Sequence, residues 1–376
     1  MRRLVVVVGL VLVGLVVLKL STGIGPSLPG PKVREILGLK EMRPKPLPCA
    51  ARRNVRTPRR PRPASGDWRR EPSSPLARSE VQGATLGGRI YLPGGQDTTS
   101  RSLDMVLAHD PARGRYDWVP PMPARVDHAV VAAHRGELYV AGGYLDGKPV
   151  NLVWRYSPES RRWAQLPSMR IARGGHAGGI IDGRLYVASG APSTYPEIFA
   201  KPYDTLEVYD IAQSRWSFGP PIPTARHHTS AATLHGKLYV VGGRQTDDFS
   251  SSAFERFDPA QNRWERLPPV PVGAGGAGVT AASGEVLAIG GDEEGDDWEL
   301  GGGWVTPAAW AFDPARSSWR RLPDLNLARH SGSVATLGGR VYVFEGSPCV
   351  GSGRTPAVES LDVRETRRGG RAASRL

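Results

Sequence analysis

Short apolar runs, each followed by a glycine-rich break, recur along most of the chain. In the clearest copy, a reverse turn at His235–Gly236 precedes the apolar run Leu238–Val241, which ends at Gly242–Gly243. A second run ends at Asp258–Pro259, and a polar turn then leads to Trp264. Runs of this length bounded by Gly, Pro or Asn predict short β-strands, and four of them fit into one copy. The pattern therefore predicts an all-β chain.

The same unit occurs six times between about residue 68 and the end of the chain. Its apolar runs are Ile90–Leu92, Leu138–Val140, Leu185–Val187, Leu238–Val240, Val286–Ala288 and Val341–Val343. Tryptophans recur at intervals of 45 to 55 residues, at Trp68, Trp118, Trp163, Trp216, Trp264 and Trp319. One four-stranded sheet cannot bury both of its faces, so the repeat predicts that neighbouring sheets stack on one another.

The Tyr, Gly-Gly, Asp-Pro and Trp positions of these copies together resemble the kelch repeat, a four-stranded propeller blade. The last copy has only three strands of its own, at Ser333–Leu337, Arg340–Phe344 and Val358–Val363, and the strand at Trp68 precedes the first copy. We therefore expect a six-bladed kelch β-propeller over residues 67–365, in which the N-terminal strand completes the last blade and removes two free sheet edges. Residues 366–376 are predicted to be a disordered tail.

The segment before the propeller divides into two parts. Residues 1–20 carry an apolar stretch between Arg3 and Lys19, which is long for a signal-peptide core and short for a spanning helix. The sequence favours a single-pass membrane anchor with the propeller outside the cytoplasm; the alternative is a secreted protein, cleaved near Gly23. Residues 21–66 are rich in Pro and Arg and are predicted to be an extended tether.

The positive charge of the chain lies in this N-terminal part. Residues 1–79 contain 17 Lys and Arg against 4 Asp and Glu, whereas residues 80–376 contain 32 of each. The basic stretch lies beside an apolar segment and lacks interleaved aromatic residues, so it favours anionic lipid headgroups over nucleic acid. The propeller itself is expected to be monomeric.

Two cysteines are present, Cys49 in the tether and Cys349 in the last blade. Because the strand at Trp68 joins that blade, the tether must pass close to it. The sequence predicts a disulfide between them, which requires an oxidising compartment. The alternative is a pair of free thiols in the cytosol.

The two ends of the propeller differ in the residues they carry. The connections between blades and the loops between second and third strands lie on one face, and the long loops belong to it. The arginines that precede the innermost strands are Arg78, Arg125, Arg173, Arg226 and Arg329, and the fifth blade has Ala274. The resemblance to kelch propellers implies that these arginines face the channel mouth and bind acidic peptides or sugar carboxylates. The alternative is that each forms a structural ion pair within the propeller.

Three histidines near the same turns, His128, His176 and His228, complete the candidate site. Their spacing is not that of metal ligands, so neither a metal nor another cofactor is expected. No nucleophile elbow, P-loop or HExxH motif is present.

The sequence therefore favours a binding module for an acidic protein, peptide or glycan. Two alternatives stay open: an extracytoplasmic enzyme on a sugar acid, similar to the kelch-type sialic-acid mutarotases, and a membrane-tethered cytosolic adaptor.

Overall fold

The computed structural model describes residues 68–193, 201–245, 250–297, 302–350, 353–364 and 366. All of them belong to one compact unit, Pro46–Leu376, while the other unit, Met1–Lys45, falls outside these residues. The predicted anchor, nearly all of the predicted tail and the whole predicted tether also lie outside the described residues. Within the described ranges, no helix is both long enough and apolar enough to cross a membrane.

Six four-stranded antiparallel sheets form the blades. The innermost strands are β2 (Ala84–Leu86), β6 (Val130–His134), β12 (Ala177–Ile181), β16 (Ser230–Leu234), β20 (Gly278–Ala282) and β26 (Ser333–Leu337). The second strands are β3 (Arg89–Pro93), β7 (Glu137–Ala141), β13 (Arg184–Ala188), β17 (Lys237–Val241), β21 (Glu285–Ile289) and β27 (Arg340–Phe344). The third strands are β4 (Val106–Asp110), β10 (Val153–Ser157), β14 (Leu206–Asp210), β18 (Phe254–Asp258), β24 (Ala309–Asp313) and β28 (Val358–Asp362). The outermost strands are β5 (Arg115–Val119), β11 (Arg162–Leu166), β15 (Arg215–Gly219), β19 (Arg263–Arg266), β25 (Ser318–Arg321) and β1 (Arg69–Glu71).

The ring closes through the first strand of the propeller. β1 pairs antiparallel with β28, and Arg69 lies opposite Ser360. The innermost strand of blade one, β2, contacts both β6 of blade two and β26 of blade six. The sequence predicted this six-bladed arrangement and its closing strand, and the strand pairing confirms both.

Six hydrophobic clusters fill the six gaps between neighbouring blades. The gap between blades three and four, for example, holds Tyr186, Leu206, Leu238 and Phe257, all of them buried. The other clusters are built from the same strand positions of the remaining blade pairs. The alternating large residues of the second and third strands therefore form the core, because each blade offers one apolar face to each neighbour.

The repeated tryptophan links each blade to the preceding one. Its indole Nε1–H donates to a proline carbonyl at the end of that blade, as in Trp216 to Pro167 (2.8 Å) and Trp68 to Pro323 (2.9 Å). Blade one departs from the sequence assignment, since Trp118 is 54% exposed. The equivalent position is Tyr116, whose hydroxyl donates to the carbonyl of Pro72 (3.2 Å). Trp118, two residues further along β5, is not part of the repeat.

The Gly-Gly break allows the chain of one blade to approach the next. At Gly242, which has a φ of +58°, a Cβ would lie 2.3 Å from the carbonyl oxygen of Ala274. The two copies with a weakened break use their side chains instead. Ser189 bonds to the backbone of Arg226, and Glu345 forms an ion pair with Arg78. A non-glycine residue at a positive φ costs conformational energy, and the hydrogen bond of Ser189 and the ion pair of Glu345 offset part of that cost.

The two faces of the propeller differ in the length of their connections. One face has tight turns, such as Gly87–Gly88 between β2 and β3. The opposite face, which we call the loop face, carries the interblade segments and the connections between second and third strands, for example from Ala188 to Leu206. Two of those connections contain hairpins: β8 (Tyr144–Leu145) with β9 (Lys148–Pro149), and β22 (Asp292–Asp297) with β23 (Gly302–Val305).

Candidate functional site

Four of the five predicted arginines are buried in ion pairs instead of lining the channel mouth. The side chains of Arg78, Arg173, Arg226 and Arg329 are at most 1% exposed. Three of them bind a glutamate on the third strand of their own blade, in the pairs Arg173–Glu207, Arg226–Glu255 and Arg329–Glu359. This geometry favours the structural alternative of the sequence analysis, because a guanidinium already bound to a buried carboxylate has few donors left for a ligand.

The structure shifts the repeat position that the sequence assigned to Arg125 by one residue. The carbonyl oxygen of Val126 accepts from Gly95 N–H (2.9 Å), the same bond that Arg173 and Arg226 make with Gly143 and Gly190. Val126 therefore occupies the buried position in blade two. Arg125 lies on the surface with 37% of its side chain exposed and forms an ion pair with Asp146 (2.8 Å).

The buried arginine before the innermost strand and the glutamate of the third strand occur in the same blades. Blades three, four and six have Arg before the innermost strand and Glu as the second residue of the third strand. Blades two and five have Val126 with Trp154 and Ala274 with Trp310. Burying one charge without the other would be costly, so in these five blades both are present or both are replaced by apolar residues.

Blade one combines Arg78 with the apolar Leu107 and takes its carboxylate from blade six. Arg78 Nε donates to Glu345 Oε2 (2.6 Å), while Ser74 Oγ donates to Glu345 Oε1 (2.5 Å). Burial raises the pKa of the Glu345 carboxyl, and Arg78 and Ser74 act in the opposite direction. This ion pair connects the first and last blades on the inner side of the ring.

Six residues meet around the propeller axis, one from each interblade turn. They are Glu80, His128, Gly175, His228, Gly276 and Ser331, and every one has a φ between +49° and +64°. Backbone hydrogen bonds join them: Glu80 donates to Ser331, His128 to Glu80, Gly175 to His128, Gly276 to His228 and Ser331 to Gly276, at 2.7–3.1 Å. We call this set the axial ring.

Three side chains of the axial ring converge. His128 Nε2 lies 3.0 Å from Glu80 Oε2 and 3.0 Å from His228 Nε2. They line a cavity of about 40 Å³, together with Gly175, Gly276 and their neighbours. Burial raises the pKa of Glu80, but the charges of His128, His330 and Arg244 and a hydrogen bond with Ser331 together outweigh it, so the net shift of the pKa is downward. Burial, Arg244 and the other histidines hold the pKa of His228 well below 6.5.

A second polar layer surrounds the axial ring on its loop-face side. Asp127 accepts from Ser102 Oγ (2.5 Å) and contacts His128 Nδ1, while Asp292 binds Arg244 and lies 3.5 Å from His330 Nδ1. Sequence reasoning did not select Glu80, Asp127, Arg244 or Asp292. A signal was available for two of them, because Arg244 and Asp292 each follow a Gly-Gly pair and pair with the interblade turn.

His176 does not join the other two predicted histidines. It follows the axial-ring residue of blade three, and its Nε2 bonds to the carbonyl oxygen of Ala141 (2.9 Å). The side chain is completely buried. Burial is the main reason that its pKa is lowered to about 3, and the charges of Arg173 and His128 act in the same direction.

Acid pH is therefore expected to destabilise the protein through His176. An unfolded histidine has a pKa near 6.5, so between about pH 6.5 and 3 the unfolded chain binds a proton that the folded chain does not. Stability is complete above pH 6.5 and falls as the pH is lowered. His176→Gln should reduce the loss of unfolding free energy between pH 7 and pH 5 by about 2 kcal/mol. Urea denaturation of both proteins at the two pH values measures this, and an identical pH dependence would contradict it.

One cysteine of the predicted disulfide belongs to the described residues and the other does not. Cys349 is buried in the connection between β27 and β28 of the last blade and is disulfide-bonded, and the described residues contain no free cysteine. Cys49 lies outside the described residues, so the pairing of the two remains a prediction.

Blade number, strand closure and repeated tryptophan bonds define this protein as a six-bladed kelch-type β-propeller. The sequence matches the family model of the Attractin/LZTR1 beta-propeller over residues 90–351. The chain belongs to that family.

Relatives and solved structures agree with this class. Kelch-like protein 40 of Xenopus tropicalis is 28% identical over 50% of this chain, and the same protein of Mus musculus is 32% identical over 42%. These matches cover only 30% and 25% of those longer proteins. Kelch-like protein terF of Aspergillus terreus is 26% identical over 80% of this chain and 68% of its own. The structure of YjhT aligns with a TM-score of 0.65 at 17% identity, over 76% of this chain and 95% of its own, which shows a shared fold alone.

Proposed function

We propose that the protein is an interaction module that binds a partner protein at its loop face. The observation that carries this proposal is the difference between the faces, because all the long connections lie on the same side as the axial ring and its polar layer. Long loops on a rigid scaffold are the usual place for binding residues. The similarity to kelch-like proteins supports a propeller used for protein interaction.

We further propose that the partner contributes an acidic segment, which two arginines recognise. Arg125 keeps its guanidinium at the surface of blade two. Arg354, in the last long connection, donates to Gln96 Oε1 (3.2 Å) of blade one, and its side chain is only partly buried. Arginine suits carboxylates because its donors form a planar fork. The four buried arginines position the loops and do not contact the partner.

A peptide-binding experiment tests both parts of this proposal. The full chain is titrated with fluorescent ten-residue peptides, one rich in Glu and one with Gln at the same positions. We expect the acidic peptide to bind more tightly, and Arg125→Ala and Arg354→Ala each to weaken it about fivefold to tenfold, as expected for loss of roughly 1–1.4 kcal/mol. Arg135→Ala, in an exposed turn of the opposite face, is the matched control.

The outcomes separate the two parts. Equal binding of both peptides would show that the partner is not recognised through acidic residues. An acidic preference that survives in both loop-face variants, or that Arg135→Ala abolishes, would show that the loop face is not the site.

Two other functions and the cellular location stay predictions, because the described residues do not test them. They are a sugar-acid enzyme, a membrane-tethered adaptor, and a location outside the cytoplasm through an N-terminal anchor or after secretion.

A further inference from the structure

We propose that Glu80, His128 and His228 bind one divalent transition-metal ion on the propeller axis, and that zinc is the ion the site fits best. The three residues come from blades one, two and four, and only the closed ring brings them together. Their ligand atoms all lie within 4.8 Å of one another. The site is independent of the proposed binding of an acidic partner.

The distances suit a metal centre. His128 Nε2 is 3.0 Å from both Glu80 Oε2 and His228 Nε2. Two ligands held about 2.0–2.1 Å from a tetrahedral zinc ion are about 3.3 Å apart. Both distances from His128 are within a few tenths of an ångström of that spacing, and the third pair, Glu80 with His228, lies within 4.8 Å. Two imidazole nitrogens and one carboxylate oxygen form a ligand set that zinc accepts with a fourth position open.

The other nitrogen of each imidazole is already engaged. His128 Nδ1 bonds to the carboxylate of Asp127, and His228 Nδ1 lies 2.6 Å from His227 Nδ1. Metal-binding histidines commonly donate their remote N–H to a carboxylate, as His128 does to Asp127, which fixes the ring orientation and makes the ligand nitrogen more basic. Both rings therefore direct Nε2 toward the same point between the blades.

The cavity leaves room for the ion and for water. Its volume is about 40 Å³ and its wall includes Gly175 and Gly276, which add no side chain at their positions of the axial ring. A space of roughly 10–15 Å³ is enough for one water molecule. The open fourth position of the metal would therefore hold water.

Backbone strain gives a separate reason to look for a role. Glu80, His128 and His228 have φ values of +53°, +54° and +49°, a region in which a non-glycine residue costs of the order of 1–3 kcal/mol. Blades three and five use glycine at this position, so the axial ring does not require a side chain there. Three side chains that can bind a metal therefore occupy strained positions around one cavity, which is the arrangement expected of a binding site.

Metal titration is the direct test. The full chain, made without a polyhistidine tag and treated with a chelator under non-reducing conditions, is titrated with Zn²⁺ alone by calorimetry. A second titration uses Co²⁺, followed by visible absorption. We expect one ion per chain, d–d bands of a four-coordinate cobalt site, and a Tm that rises with Zn²⁺ and not with Mg²⁺.

The protein supplies its own control for the variants. His228→Gly should fold, because glycine occupies the same position in two other blades, and it should bind Zn²⁺ at least 100-fold more weakly. His235→Gly removes a histidine of the same blade with nearly the same φ (+50°) in an exposed turn, and should leave the affinity unchanged. Asp127→Asn should weaken binding 10- to 100-fold through loss of the bond that orients His128.

Absence of Zn²⁺ and Co²⁺ binding by the parent protein would overturn the proposal and leave these residues as a hydrogen-bonded network. Binding that is equally tight in His228→Gly would also overturn it. If His228→Gly does not fold, Glu80→Gln answers the same question. It removes the anionic ligand while keeping its size, and an unchanged affinity or cobalt spectrum in that variant would contradict the proposal.

Discussion

Replacing Arg226 by methionine is expected to lower the free energy of unfolding by about 3–5 kcal/mol. The side chain is fully buried, and its Nη1 binds Glu255, which is 1% exposed. The variant leaves that carboxylate in the core without its cation. Glu255 has few alternatives, because its Oε1 has no hydrogen-bond partner among the described residues.

Blade three offers a graded comparison for this result. Glu207 accepts backbone hydrogen bonds from Arg170 (2.7 Å) and Ile171 (3.2 Å) in addition to its bond with Arg173. The residue of blade four that corresponds to Arg170 is Pro223, which has no N–H. Arg173→Met should therefore cost less than Arg226→Met, since the remaining carboxylate keeps two donors.

Urea denaturation measures both costs, and a double variant identifies their cause. Arg226→Met combined with Glu255→Leu should regain most of the loss, because an apolar pair of similar volume replaces a buried ion pair at little cost. Arg256→Met, which breaks a pair with the half-exposed Glu265, should change stability by less than about 1 kcal/mol. A double variant as unstable as Arg226→Met alone would show that the unpaired charge is not the cause.

The second large effect is expected at the strand that closes the ring. Trp68 is buried between blades five and six, where it packs with Leu322 and Val363, and its indole donates to Pro323. Trp68→Ala should cost about 3–5 kcal/mol, because it opens a cavity in that gap and removes a bond between the first strand and the last blades. It should also loosen the closure, since β1 has only three residues to hold it against β28.

Trp118→Ala is the matched control for this prediction. Both tryptophans occupy repeat positions by sequence spacing, but Trp118 is 54% exposed and its replacement should cost less than about 1 kcal/mol. Thermal and urea denaturation of the full-length variants give the comparison. Equal costs, or a small cost at Trp68, would contradict the view that this strand closes the propeller.

Most of the fold could be predicted from the sequence because its determinants are local. A five-residue strand that ends at a glycine pair and a turn can be predicted from residues that are neighbours in the chain, and six copies of the same pattern support the prediction. Even the closing strand followed from counting, since the last copy had three strands and Trp68 was left over. Two residues were assigned wrongly. Trp118 was taken for the repeat position that Tyr116 occupies, and Arg125 for the position that Val126 occupies, because each is a residue of the expected type next to or near that position.

The candidate site was less predictable because its character depends on burial and on convergence. The sequence located the interblade arginines but left two roles open for them, and the buried partners Glu207, Glu255 and Glu359 favour one role. His128 and His228 are 100 residues apart and meet at 3.0 Å, with Glu80 beside them. The spacing of these residues along the chain does not match any metal-binding motif, so the cluster could not be predicted from the sequence.

The sequence by itself therefore determined the four-stranded blade, the number of blades and the closing strand. Each strand and turn depends on residues that are close together in the chain, and the number of repeats gives the number of blades. The tertiary structure decided which side chains are covered and which meet. Each interblade turn brings one residue with a positive φ to the axis, so residues that are distant along the chain become neighbours only when the sixth blade closes against the first.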